Sequence, residues 1–119
     1  MFATLCRNEL EREDLGDVTV VRFKASRLDD EQHIRLLFQE VAGLVDAGRP
    51  NLVLNLGSAG FLVSTAIGKL LMLHGKARAA HGRLALCQVS RTTEEALEVM
   101  RLKDLVQTYC SEDEAVQSL

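Results

Sequence analysis

The sequence predicts an α/β fold, a mixed four- to five-stranded sheet with helices packed mainly on one face, in the order β-β-α-β-α-β-α-β-α. Three observations lead there. A β-branched run, Val18 to Phe23, follows a turn signal at Leu15-Gly16-Asp17. Two later segments carry apolar residues at helical spacing, and short apolar runs bounded by turn residues lie between and after them. A hairpin followed by alternating strands and helices makes a mixed sheet, and laying the two long amphipathic helices on one face buries both.

The elements follow in order. A first strand is expected over about Leu5 to Glu11, paired through the Gly16 turn with Val18–Phe23. After Leu28, Asp29 is positioned as a helix N-cap with Gln32 three residues on, and Ile34, Leu37, Phe38, Val41, Leu44 and Val45 then recur on one helical face. That helix stops near Gly48, which tolerates a left-handed C-terminal conformation, and Pro50 forbids its continuation. Asn51 to Leu56 is nearly continuous in apolar residues, the pattern of a central strand covered on both faces.

Gly57 to Gly60 forms a loop, and Ser64 precedes a second helix bearing Ile67, Leu70, Leu71, His74 and Ala77 on one face. Met72 and Leu73 widen its apolar surface, the pattern either of a contact face or of a helix wedged against two neighbours. Gly75 inside the helix costs about 1 kcal/mol relative to Ala, so a packing or close-approach reason is expected. Gly82 turns the chain into a strand over Arg83 to Val89. Thr92-Thr93-Glu94-Glu95 reads as a capping box for a short helix burying Leu97 and Met100. A last short strand is expected over Leu105 to Tyr109, and Ser111-Glu112-Asp113-Glu114 caps a terminal helix ending at Leu119.

Composition narrows the function. The chain has 119 residues, 17 acidic and 14 basic, a net charge of −3 and 47% apolar residues, which is the profile of one soluble domain over 1–119. A chain of this length buries roughly two thirds of its unfolded surface and needs no metal or disulfide to fold. Its basic residues are scattered, against a nucleic-acid groove. No apolar run approaches the ~20 residues that span a bilayer, so a cytoplasmic protein without membrane association is expected.

Cys6, Cys87 and Cys110 are widely spaced and unpaired with histidines, reading as reduced thiols, and no metal or other cofactor is expected. No phosphate-binding glycine loop, dinucleotide fingerprint or nucleophile elbow is present, and the acidic clusters fall where helix starts and solvated faces explain them. The reading is of a protein that is not an enzyme.

The informative stretch is Leu52 to Leu71, in which an apolar strand ending Asn55-Leu56 leads through Gly57-Ser58-Ala59-Gly60-Phe61 to Val63-Ser64-Thr65-Ala66-Ile67-Gly68 at a helix start. It resembles the signature of STAS domains, the family shared by bacterial anti-sigma factor antagonists and the cytoplasmic tails of sulfate transporters. The element order, Leu28-Asp29 before the first helix, and the run Gly82 to Cys87 followed by Arg101-Leu102-Lys103 extend the likeness over nearly the whole chain, toward the soluble, single-domain antagonist branch.

The resemblance implies a partner-switching regulator that binds an anti-sigma factor with serine kinase activity, with Ser64 at the phosphorylated position and Thr65 as the lesser candidate. It implies a partner-binding patch of Leu28, Asp29, Phe61, Val63, Ser64, Thr65, Ala66 and Lys69. ATP would belong to the partner. A phosphate at a helix start meets unpaired N–H groups and the positive end of the dipole, and its −1.5 to −2 charge in a docking patch opposes binding without unfolding the domain.

The sequence departs from the antagonist pattern where Val63 replaces Asp and Ala66 replaces Gly, and the lost carboxylate removes an acceptor beside the serine. Three readings stay open beside the switch. Ser64 is an N-cap worth about 1 kcal/mol, the domain is a constitutive interaction module, or the helix start senses a small anion or lipid. The sequence leaves homodimer formation open.

Overall fold

The computed structural model describes residues 10–24, 27–28, 30–59 and 61–119. Its elements run β1 (Leu10–Leu15), β2 (Val18–Phe23), β3 (Arg27–Leu28), α1 (Glu31–Asp46), β4 (Asn51–Asn55), β5 (Phe61–Leu62), α2 (Ser64–Ala79), β6 (Leu84–Cys87), α3 (Arg91–Val99), β7 (Gln107–Tyr109) and α4 (Glu112–Ser118). Five strands form a mixed sheet in the order β1-β2-β4-β6-β7, antiparallel only between β1 and β2. β3 and β5 form a separate parallel pair that the sequence pattern does not announce, each being two residues long.

Strand alternation divides the core into two layers. Val21 and Phe23 of β2, Leu52 and Leu54 of β4, and Leu84 and Leu86 of β6 face α1, α2 and α3. The intervening Val18, Val20, Val53, Ala85 and Cys87 face the other way, onto Ala115 of α4. Large aliphatics therefore fill the side under the long helices, where Phe23 and Phe38 stack at 5.5 Å. Smaller side chains leave room for a seven-residue helix opposite. β4 is central and covered on both faces, as its continuous apolar run requires.

Several local expectations are corrected. Residues 5–9 lie outside the described residues, and β1 continues past Glu11 to Leu15, closing a hairpin in which Leu15 opposes Val18. Its tail of exposed acids around a half-buried Arg12 belongs to an edge strand, where charge replaces an apolar face. Asp29 lies outside the described residues, and the α1 cap is Asp30, whose carboxylate accepts from the His33 N–H at 2.9 Å. α3 is capped two residues earlier than its capping-box pattern suggests, by Ser90 accepting from Thr93 N–H, and Met100 is exposed rather than buried. The Ser111 cap is as expected, its hydroxyl accepting from Glu114 N–H.

Two glycines part ways. A Cβ on Gly82 would lie 2.3 Å from the Pro50 backbone oxygen, so only glycine lets α2 turn against the β4 entrance. A Cβ on Gly75 would meet nothing within 4 Å, so no contact within the described residues requires glycine there.

Candidate functional site

At the C-terminal ends of the parallel strands, where open α/β sheets place their sites, β4 releases the chain into a braced loop. The Asn55 side-chain oxygen accepts from Gly57 N–H at 2.8 Å. A Cβ on Gly57 would lie 2.5 Å from the Gln88 side-chain oxygen, so the turn is tight against the β6 exit. Ala59 is buried and donates its N–H to Leu56 at 3.1 Å. β5 then pairs with β3, setting Phe61 opposite Arg27 and Leu62 opposite Leu28, which fixes the approach to α2 beside the segment before α1.

Ser64 and Thr65 are the first two residues of α2, and both are exposed. Ser64 is not the N-cap: that position is Val63, extended at φ −81 and ψ 167, with no side-chain cap bond. The Val63 carbonyl accepts from Ala66 N–H at 2.9 Å and Ile67 N–H at 3.2 Å, while its side chain packs half-buried against the main core. Ala66 is fully buried, so its methyl fills core space that glycine would leave empty. The N–H groups of the first turn therefore lack the acceptor that a Ser, Thr or Asp cap supplies.

Lys69, half-buried one turn further on, joins Thr65, Glu31, Gln32 and Arg35 around a depression of about 450 Å³ between the starts of α2 and α1. Of the residues singled out from sequence, Val63, Ser64, Thr65, Ala66 and Lys69 share this helix start. The backbones of Leu28 and Phe61 lie in the adjoining strand pair, and Asp29 falls outside the described residues. Glu31, Gln32 and Arg35 are members that sequence reasoning did not assign to the site, and Arg35 brings a second cation to it. No local sequence signal marks Arg35, because only tertiary packing brings it to the same depression as Lys69.

Behind the loop, on the sheet's other face, stands a charge network. Arg22 donates to both Glu112 carboxylate oxygens at 2.7 and 2.8 Å and reaches Glu13 at 2.7 Å and Glu11 at 3.2 Å. Asn55 donates to Glu112 at 2.6 Å. The Arg22 guanidinium, helped by Asn55 and opposed by burial, holds the Glu112 carboxyl below its ordinary value. Burial, reinforced by the Glu112 charge, pushes the Cys87 thiol up to about 12, an inert core thiol rather than a nucleophile. On α2, His74 is held toward its neutral form by burial and then by Arg78, and its buried Nδ1 has no hydrogen-bond partner among the described residues. Among the described residues no three His, Cys, Asp or Glu side chains gather in a metal-binding group, and no helix is long and apolar enough to cross a membrane.

The sequence model of the STAS domain matches residues 10–115. The chain belongs to the STAS domain family. Solved structures agree on this fold. One similar structure is that of a candidate anti-sigma factor antagonist from Thermotoga maritima, at 17% identity and TM-score 0.82 over 92% of each chain. An anti-sigma factor antagonist from Mycobacterium paratuberculosis matches at 22% identity and TM-score 0.79, covering 92% of this chain and 91% of that one. The phosphorylated form of the Bacillus cell fate determinant SpoIIAA matches at 19% identity and TM-score 0.71, over 92% of this chain and 97% of that one. No curated protein sequence matches the chain. In this STAS domain the helix start with Ser64 is thus a surface element set on a family scaffold, with Val63 as its own cap residue.

Proposed function

We propose that this STAS domain is a non-enzymatic partner-switching module of the anti-sigma factor antagonist kind, acting in the cytoplasm. It docks an anti-sigma factor with serine kinase activity through the loop and helix start from Phe61 to Lys69, and phosphate on Ser64 turns that docking off. The observation that carries the reading is Ser64 itself: an exposed hydroxyl in the first turn of a helix whose cap residue offers no side-chain acceptor. A phosphate there meets free N–H groups and the dipole, and Arg35 and Lys69 lie around the adjoining Thr65 depression to receive part of its charge. The domain therefore accommodates the modification without unfolding, while the docking surface changes sign.

The half-buried Val63 favours one alternative, a constitutive interaction module in which apolar contact has replaced regulated charge. Phosphosite mapping of the tagged protein recovered from its own host, across growth and stress conditions and with a synthetic phosphopeptide as sensitivity control, separates the two. Condition-dependent phosphate on Ser64 supports the switch. Its absence under every condition, with the control detected, leaves the constitutive module, whose complex forms equally with and without ATP.

A further inference from the structure

The outer face of the helical layer carries a furrow that the core does not account for. α1 and α2 pack together, and Arg35, Phe38 and Ala42 of α1 line the furrow with Lys69, Met72 and Lys76 of α2. The depression at the helix starts continues into a second of about 470 Å³, the two sharing Arg35 and Lys69. Met72 is 67% exposed in mid-helix, while its neighbour Leu73 is buried in the core. On α2, Gly68 and Gly75 stand four residues before Met72 and three after it, and a Cβ on either would meet nothing within 4 Å. Each lowers helix stability by about 1 kcal/mol relative to Ala with no intramolecular contact in return.

Charge says what fits. Lys76 is neutralised by Asp46 at 2.9 Å, whereas Arg35 and Lys69 make no ion pair among the described residues. On a chain of net charge −3, the furrow thus combines the exposed Met72, beside the largely buried Phe38, with a net positive lining in which Arg35 and Lys69 outnumber the single acid Glu31. We propose that the α1–α2 furrow docks an acidic amphipathic helix of a partner protein, its apolar stripe on Met72 and Phe38 and its carboxylates on Arg35 and Lys69. This rests on the reading that the protein acts by binding another protein, and it extends the docking surface along α2 from Ser64. A helix is the occupant that two packed helices accept in the groove between them, and low flanking side chains let its backbone approach. Phosphate near Thr65 would compete with the partner's carboxylates for the same two cations.

The test titrates the full-length protein with a designed peptide of about four helical turns, Leu at i, i+3, i+4 and i+7 with Glu on the flanks, followed by residue-resolved NMR. Saturable shifts at Arg35, Lys69 and Met72 are expected, weakening with salt. Affinity should fall at least about tenfold in Lys69→Glu, and also fall in Met72→Ser, whose exposed site leaves folding intact. An equal response to the same peptide with Lys for Glu, or shifts away from the furrow, would overturn the proposal. So would furrow shifts caused by phosphatidylglycerol vesicles but not the peptide, or by raising protein concentration alone. If the host partner is held equally by wild type and Met72→Ser but lost with Ser64→Glu, the furrow fails and the helix-start reading stands. If the peptide binds the furrow while Ser64→Glu leaves partner recovery unchanged, the helix-start reading fails alone.

Discussion

The two faces of the sheet are closed by different forces. Under α1, α2 and α3, Leu52, Leu54, Leu84 and Leu86 pack against buried helix residues, and burial of apolar surface dominates. Under α4 the strands present Val18, Val20, Val53, Ala85 and Cys87, and a helix of seven residues adds Ala115. That smaller apolar contact is supplemented by one charged junction, Arg22 to Glu112, to which Asn55 also binds. The first face has burial to spare, so it tolerates an exposed Met72 and glycines without intramolecular contacts. The second relies on that junction and a longer bond from Arg83 to the Ser118 carbonyl at 3.4 Å, and Asn55 ties the junction to Gly57 at the mouth of the site loop. Weakening α4 is therefore expected to reach Gly57, whereas altering the outer surface of α2 is expected to leave the fold unchanged.

The largest expected effect lies on the aliphatic side. Leu54→Ala, at a fully buried central-strand position, should cost about 2–5 kcal/mol in denaturant unfolding. A loss under about 1 kcal/mol would show that this face is not the dominant one.

Glu112→Gln comes next, with an expected cost of about 1–3 kcal/mol, because Arg22 loses a charged bidentate partner in a half-buried setting. Since the folded-state pKa of Glu112 lies below its ordinary 4.5, its contribution is complete above that value and is lost as pH falls through the depressed one. Wild type should lose stability below about pH 4.5 more steeply than Glu112→Gln. Parallel curves would remove the junction from the account. Amide exchange at Gly57 should rise in the variant if Asn55 transmits the loss.

Smaller effects sharpen the description of the site. Because Ser64 does not cap α2, Ser64→Ala should change stability by under about 0.5 kcal/mol. Val63→Thr, which keeps the branched shape and adds an acceptor, should gain about 0.5 kcal/mol or more. A loss near 1 kcal/mol for Ser64→Ala would restore a capping role. Last, alkylation of the native protein near neutral pH followed by peptide mapping should label exposed Cys110 and spare Cys87, whose thiol is both buried and pushed up to about 12.

The same contrast explains what could be read from the sequence. The aliphatic face was legible because Ile34 to Val45 repeat at the helical period and Asn51 to Leu56 form a run too apolar for any but a covered strand. β1 was misplaced because Glu11, Arg12, Glu13 and Asp14 carry no apolar alternation on an edge. β3 and β5 were missed because two-residue pairings leave no periodicity. At the site, the Ser64–Lys69 segment stood out as one local stretch. Arg35 and the Arg22–Glu112–Asn55 junction join residues separated by 34, 90 and 57 positions, whose meeting only tertiary packing decides. Acids at the start of α4 read as dipole partners, and one of them is also the bolt that holds α4 to the sheet.

The most direct measurement compares partner recovery from the host by wild type, Ser64→Ala and Ser64→Glu expressed at equal levels, with the partner identified by mass spectrometry. The account predicts that Ser64→Ala retains the same partner as wild type, and that Ser64→Glu loses it by at least about tenfold as charge enters the docking patch. Equal recovery by all three proteins would contradict it, because the first turn of α2 would then lie outside the docking surface.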